Sequence, residues 1–355
     1  MTYYTTLDYF SRLYDKLGRQ HPANVSSKEA FEAWKKDIRR RLAETVGMDL
    51  CEAAPAMPEL LDTKDFPEYT REHWVIQTEP GVQMTYFLLK PKCQHNGGLI
   101  INPHGHGGGK ENNVHDPENP GVISMMERFG NTGKKAFAEE LAAAGYIVAC
   151  PDARGTGERR EKGQQGDAAE NWRSNSHREI NQMATGFGMS MIGMMVWDLM
   201  RLLDHLLETL PEVDAEKVGC VGMSGGGQQT IYFSALDERV KAVITSGYFY
   251  GFKESLVRLP GNCSCNFAPN LWKLLDMGDI GAMIAPRPLF VESGRKDPLE
   301  GEPGLDNVYP QVQIAREAFE VMGCGDRLVH SIHEGGHQFV GTGMIDFFGK
   351  WLLNK

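Results

Sequence analysis

Lys217-Val218-Gly219-Cys220-Val221-Gly222-Met223-Ser224-Gly225-Gly226-Gly227-Gln228-Gln229-Thr230-Ile231-Tyr232-Phe233 is the stretch whose reading decides the fold. Residues 217–221 read as a buried strand, and residues 227–233 open a helix. Between them lies Gly-x-Ser-x-Gly, the pattern of a nucleophile elbow, a tight turn that holds a serine in a strained conformation and lifts its hydroxyl clear of the sheet. Strand and helix backbones nearly touch in such a turn, so the residues two before and two after the serine must be small. Gly222 and Gly226 meet that demand. Gly225-Gly226-Gly227 alone would also suit a flexible loop; the strand before it and the helix after it select the elbow.

Working outward, the chain alternates strand and helix from residue 98 onward. Residues 98–102, 146–150, 240–246, 288–293 and 328–333 read as strands; residues 134–144, 189–210 and 311–322 read as helices. Such alternation predicts an α/β architecture, a mostly parallel central sheet with helices on both faces, whose active site lies at the C-terminal strand ends. Ahead of it, residues 72–78 and 82–90 form a hairpin around Glu79-Pro80-Gly81. Apolar residues recur at helical spacing through residues 3–47, and a Pro- and acid-rich connector runs from Pro55 to Pro67. The expected organisation is an N-terminal helical extension and linker over 1–70 and a catalytic unit over 71–355.

Composition narrows the function classes. The 355 residues are 41% hydrophobic and 24% charged, with a net charge of −10, which argues against a nucleic-acid partner. Arg39-Arg40-Arg41 reads as a solvated helix face. No apolar run is long enough to span a bilayer, and Met1 to Asp8 has no basic start followed by an apolar stretch, so neither a membrane partner nor a secretory signal is expected. Seven cysteines at scattered spacing fit reduced thiols in a cytoplasm. Cys263-Ser264-Cys265 is the one close pair, with no second pair to complete a zinc site.

A serine hydroxyl needs a base, and the base needs an acid to fix its tautomer. The order Ser, Asp, His is available. Gly294-Arg295-Lys296-Asp297-Pro298 follows one strand, and Glu334-Gly335-Gly336-His337 follows the last. The candidate catalytic residues are therefore Ser224, Asp297 and His337. Asp297 could otherwise be a turn residue and His337 a surface histidine. Asp276, Asp279 and Asp306 do not directly follow a strand, and His330 and His333 lie within one. The oxyanion needs two backbone donors: Gly225 after the serine, and Gly105 or His106 in the loop Pro103-His104-Gly105-His106-Gly107-Gly108-Gly109. His104 and His106 could instead bind a metal, but no third ligand stands at a supporting spacing, so neither metal nor cofactor is expected. Arg154, in Asp152-Ala153-Arg154-Gly155-Thr156-Gly157, reads either as a substrate-carboxylate contact or as a clamp on strand-end loops through Asp152 and backbone carbonyls. The aromatic segment 246–275 reads as pocket wall or as core, segment 159–181 as a lid or subunit contact, and the Met-rich run 183–200 as core.

Taken together, the His104-Gly105-His106-Gly107-Gly108 loop, the Asp152-x-Arg154-Gly155-x-Gly157 turn, the elbow around Ser224, Gly294-x-x-Asp297 and Gly336-His337 resemble the α/β-hydrolase superfamily. Within it the chain is most similar to acetyl xylan esterases and cephalosporin-C deacetylases, and more distantly to dienelactone hydrolases, which carry Cys as nucleophile. Cys263-Ser264-Cys265-Asn266, residues 274–280 and Ala285-Pro286-Arg287-Pro288-Leu289 carry the same resemblance. It implies an α/β-hydrolase fold and cofactor-free hydrolysis of short-chain, acetyl-type esters through a Ser224 acyl-enzyme. The substrate would be a small ester or an acetylated oligosaccharide. A serine peptidase of the prolyl-oligopeptidase type and a non-catalytic binding protein are the competing readings. A homo-oligomer is compatible with the apolar stripes of the N-terminal helices.

Overall fold

The structure is a computed structural model that describes residues 3–114, 136–166 and 168–354, together with Asp116, Glu118, Asn119 and Ile123. Among them nine strands form one sheet: β1 (Glu59–Asp65), β2 (Tyr69–Glu79), β3 (Val82–Pro91), β4 (Leu99–Ile101), β5 (Ile147–Pro151), β6 (Val218–Met223), β7 (Ala242–Ser246), β8 (Leu289–Gly294) and β9 (Leu328–His333). Their spatial order is β1-β2-β3-β5-β4-β6-β7-β8-β9. β1, β2, β3 and β5 pair antiparallel; from β5 to β9 every pairing is parallel. The chain leaves β4 toward β5 on one side and returns to β6 on the other, so a topological switch opens at the C-terminal end of β4, where open α/β sheets bind ligands.

Side-chain alternation sorts the sheet into two cores. Leu99, Ile101, Ile147, Ala149, Val218, Cys220, Val243, Leu289 and Val291 face one side. There they meet α2 (Lys28–Thr45), α5 (Met191–Thr209), α6 (Gly225–Leu236) and α7 (Tyr309–Val321). Ile100, Val148, Cys150, Val221, Ala242, Ile244 and Phe290 face the other side, under α3 (Phe137–Ala143) and α8 (Met344–Leu353). Gly219 in β6 lets α8 come close: a Cβ there would stand 2.8 Å from the Phe348 ring.

Three local expectations are corrected. The helical periodicity of residues 3–47 belongs to two helices, α1 (Leu7–Leu17) and α2, broken at Gly18 and restarted where the Ser27 side chain accepts from Ala30 N–H. The connector at 55–67 contains β1, whose side chains are almost all exposed. It is held by backbone pairing with β2, so it carries no apolar alternation to read. Met183 is exposed on α4 (His177–Gly186), whereas Met191, Met194 and Met195 are core. The predicted helix at 134–144 is α3, and residues 134 and 135 lie outside the described set.

Arg154 is a clamp, but not on Asp152. Its Nε and Nη2 donate to both Asp198 oxygens (2.8 and 2.9 Å), and Nη2 also donates to Glu79. Thr78 Oγ1 donates to Asp198 at 2.6 Å, and Arg159 pairs with it at 2.9 Å. This ties β2, the β5 loop and α5 together. Asp276 and Asp279 have a structural use: they accept from Tyr14 Oη (3.0 Å) and Arg19 Nε (2.8 Å) and so dock α1.

Two predictions follow from this packing. Phe348→Ala, at a fully buried site, should cost about 3–5 kcal/mol in denaturant unfolding. Burial alone would raise the Asp198 carboxyl; Arg154 and then Arg159 outweigh it and hold it at about 2. A carboxyl depressed in the folded state contributes stability above its unfolded value of 3.8 and loses it as pH falls toward 2. Asp198→Asn should therefore cost roughly 3–5 kcal/mol at pH 7, and its difference from wild type should narrow between pH 4 and pH 2.

Candidate active site

Ser224 sits between β6 and α6 with φ 59° and ψ −122°, a backbone conformation that L-residues rarely adopt. Two close approaches hold it. A Cβ on Gly222 would lie 2.3 Å from the Gly226 carbonyl oxygen, and one on Gly226 would lie 2.2 Å from that of Pro103. Ser224 N–H donates to Ser246 O at 2.8 Å, which registers the turn against the end of β7. Because α6 begins at Gly225, its first N–H groups have no acceptor within the helix.

Asp297 and His337 come together from the loops after β8 and β9. His337 Nδ1 and Asp297 Oδ2 are 2.7 Å apart, and Leu299 N–H donates to Asp297 Oδ1 at 2.9 Å. The two loops are laced by Arg295 N–H to His333 O and Lys296 N–H to Gly335 O. Gly294 admits the crossing, since a Cβ there would stand 2.4 Å from Gly336 O. The pair lies over the end of β7: a Cβ on Gly247 would be 3.1 Å from His337 Cε1 and 3.4 Å from Asp297 Oδ2. Ser224 and the His337–Asp297 pair thus border neighbouring residues of one strand end, Ser246 and Gly247.

The loop after β4 is the third component, and a Cβ on Gly105 would sit 3.6 Å from Ser224 Cβ. Its shape is fixed by buried polar groups. His104 Nδ1 donates to Gly105 O at 2.5 Å, and its Nε2 accepts from Ala153 N–H at 3.0 Å. Burial holds His104 down at about 4, so the ring is a neutral acceptor at pH 7. Lys110, with no exposure, donates from Nζ to Asp152 (2.8 Å) and to Glu158, and its backbone N–H donates to Asp152 at 2.7 Å. Asp152 therefore holds this loop rather than Arg154. His106 turns the other way: its ring lies against Gly225, and its Nε2 is 3.1 Å from Cys265 Sγ.

A cleft of about 550 Å³ opens above Ser224, bordered by His106, Asn175, Arg178, Tyr248, Tyr250, Asn262 and Leu299, among others. The aromatic segment therefore divides. Tyr248 and Tyr250 border the cleft from within the core that also holds Phe249 and Phe252, and Trp272 packs on α1. Segment 159–181 contributes Asn175 and Arg178 to the rim.

Glu292 was missed by the sequence reading. It is buried at the end of β8, where Oε1 accepts from Ser246 Oγ (2.8 Å) and Val340 N–H (3.0 Å), and Oε2 accepts from Gly341 N–H (2.8 Å). It fastens the chain just past His337 to the strand that registers Ser224. A lone carboxylate in the otherwise uncharged run Leu289-Phe290-Val291-Glu292-Ser293-Gly294 was its signal.

A mostly parallel sheet with a strained serine after β6, an acid loop after β8 and a histidine loop after β9 defines the α/β-hydrolase fold. Residues 18–333 match the model of an Abhydrolase family. The chain belongs to that family. It is 25% identical over 320 residues to putative hydrolase YtaP of Bacillus subtilis (strain 168), covering 88% of this chain and 98% of that protein. Its structure is similar to that of a putative acetyl xylan esterase from Bacteroides fragilis NCTC 9343 (TM-score 0.76, 18% identity, 94% of this chain and 83% of that one). It is also similar to a glucuronoyl esterase from Solibacter usitatus (TM-score 0.63, 17% identity, 94% and 95%).

The elbow packing makes Gly226→Ala a stringent test. The added methyl must displace Pro103 or α6, and we expect a loss of about 1–3 kcal/mol in stability on denaturant unfolding.

Proposed function

We propose that this protein hydrolyses short-chain carboxylic esters, acetyl esters of carbohydrates above all, through an acyl-enzyme on Ser224. The observation that carries the reading is Ser224 in its strained turn at the strand end where the His337–Asp297 pair also meets. His337 would take the serine proton as Oγ attacks the ester carbonyl, then return it to the leaving alcohol. It would next activate water to release the acid. Asp297 fixes the His337 tautomer by accepting from Nδ1, leaving Nε2 for the proton transfers. The N–H of Gly225 and that of Gly105 or His106 would bind the oxyanion, each donor worth on the order of 3–4 kcal/mol. Asn175, Arg178 and Asn262, in a cleft that Tyr248 and Tyr250 border, supply polar groups suited to a sugar alcohol. The similarity to esterases in fold supports the same reading.

With p-nitrophenyl acetate as substrate, Ser224→Ala should lower kcat/KM by at least ~10³-fold, and wild-type rates should fall from acetate to butyrate to octanoate. Equal rates in wild type and Ser224→Ala would overturn the mechanism. Glu292→Ala should reduce kcat by roughly 10²-fold with little change in KM, because it moves the His337 loop without touching substrate. A change confined to KM would show that Glu292 acts on binding instead.

A further inference from the structure

His106, His177, Cys263 and Cys265 lie apart in the sequence but gather in space, with one ligand atom of each within 4.8 Å of all the others. They come from three segments: the loop after β4, the first turn of α4, and the 3₁₀ turn Ser264–Asn266 with the residue before it. His106 Nε2 is 3.1 Å from Cys265 Sγ, and His177 Nδ1 is 3.0 Å from Cys263 Sγ. The two imidazoles meet edge to face at 5.6 Å. His177 and Cys265 are 2% and 1% exposed. Among the described residues the Cys263 sulfur is the one side-chain polar contact of the His177 ring, and His177 Nε2 is buried without a hydrogen-bond partner.

We infer that these four side chains are a closed tetrahedral zinc site that clamps the loop after β4 to the wall of the cleft. Two sulfur and two nitrogen donors in tetrahedral disposition are the preferred set of zinc. Zn–S bonds of about 2.3 Å and Zn–N bonds of about 2.0–2.1 Å place tetrahedral ligands roughly 3.3–3.8 Å apart. The present contacts straddle that range, so small side-chain rotations suffice. Binding displaces one proton from each thiol; two thiolates and a divalent ion leave the buried cluster neutral, which removes the cost of burying charge. All four positions are taken by protein, so the ion activates no water and the site is structural. Its effect on the cleft passes through His106, whose ring lies against Gly225 and whose backbone belongs to the loop beside Ser224. Sequence spacing could not show this: the one pairing it offered His106 was with His104, which lacks a third ligand and is bound instead to Ala153 N–H and Gly105 O.

Metal content tests the site without reference to ester hydrolysis. Protein purified from zinc-supplemented medium should hold about one zinc per chain. Cys263→Ser/Cys265→Ser should fall below about a tenth of that. Ser224→Ala, and Cys93→Ser at an exposed thiol outside the cluster, should keep it. Should the double variant fail to fold, wild type stripped by chelator and reloaded with cobalt gives the answer. Thiolate-to-cobalt charge transfer with intense tetrahedral ligand-field bands supports the site, and their absence overturns it. Wild type without stoichiometric metal, metal retained by a folded double-cysteine variant, or a Cys263–Cys265 disulfide in the freshly purified protein would each overturn it as well.

Discussion

The active edge of this protein depends on one steric constraint: three backbone segments share a space that has no room for side chains. β6 and α6 touch at Gly222 and Gly226, and the start of the loop after β4 touches α6 at Pro103. The turn at Ser224 can be tight only because those contacts are backbone on backbone. Strain at a single residue is tolerable when the surrounding structure over-determines it. Here the two cores of the sheet do so, by fixing β6 between β4 and β7 with fully buried side chains on both faces.

Around that constraint, buried charge is used for position. Lys110–Asp152, Arg154–Asp198 and Glu292 each sit at a C-terminal strand end or bind a loop that leaves one. Such groups contribute little net stability compared with apolar replacements, because desolvation offsets their attraction. They do dictate geometry, since each has few satisfactory arrangements. The consequence is a cleft whose loops are held by side-chain acceptors and donors rather than by regular secondary structure. The cysteine–histidine cluster extends the same principle to the loop at residues 103–109, which lies beside the serine and borders the cleft.

Most of the parallel sheet was legible, and the reason is physical. Strands buried on both faces read as short apolar runs, and several of the helices that cover them, such as α2 and α7, show 3.6-residue periodicity, although α6 is buried all round. β9 was read at its observed limits, and the other parallel strands within two residues at either end. The elbow was legible because its chemistry is local, fixed by glycines two residues either side of the serine. β1 was not, because an exposed edge strand needs only backbone partners. Nor was the position of the break between the two N-terminal helices, since α1 is held by Tyr14 on Asp276, 262 residues away in sequence.

What the sequence by itself determined is therefore the fold class and the elbow, because periodicity and turn chemistry act over a few residues; Ser224, Asp297 and His337 it offered only as candidates in that order. Only the tertiary structure decided which buried carboxylate holds which cation, that Glu292 fastens the His337 loop, and that His106 meets His177, Cys263 and Cys265 rather than His104. Those pairings join residues far apart in the chain, and their strength is set by partner distance and burial together, which no local pattern records.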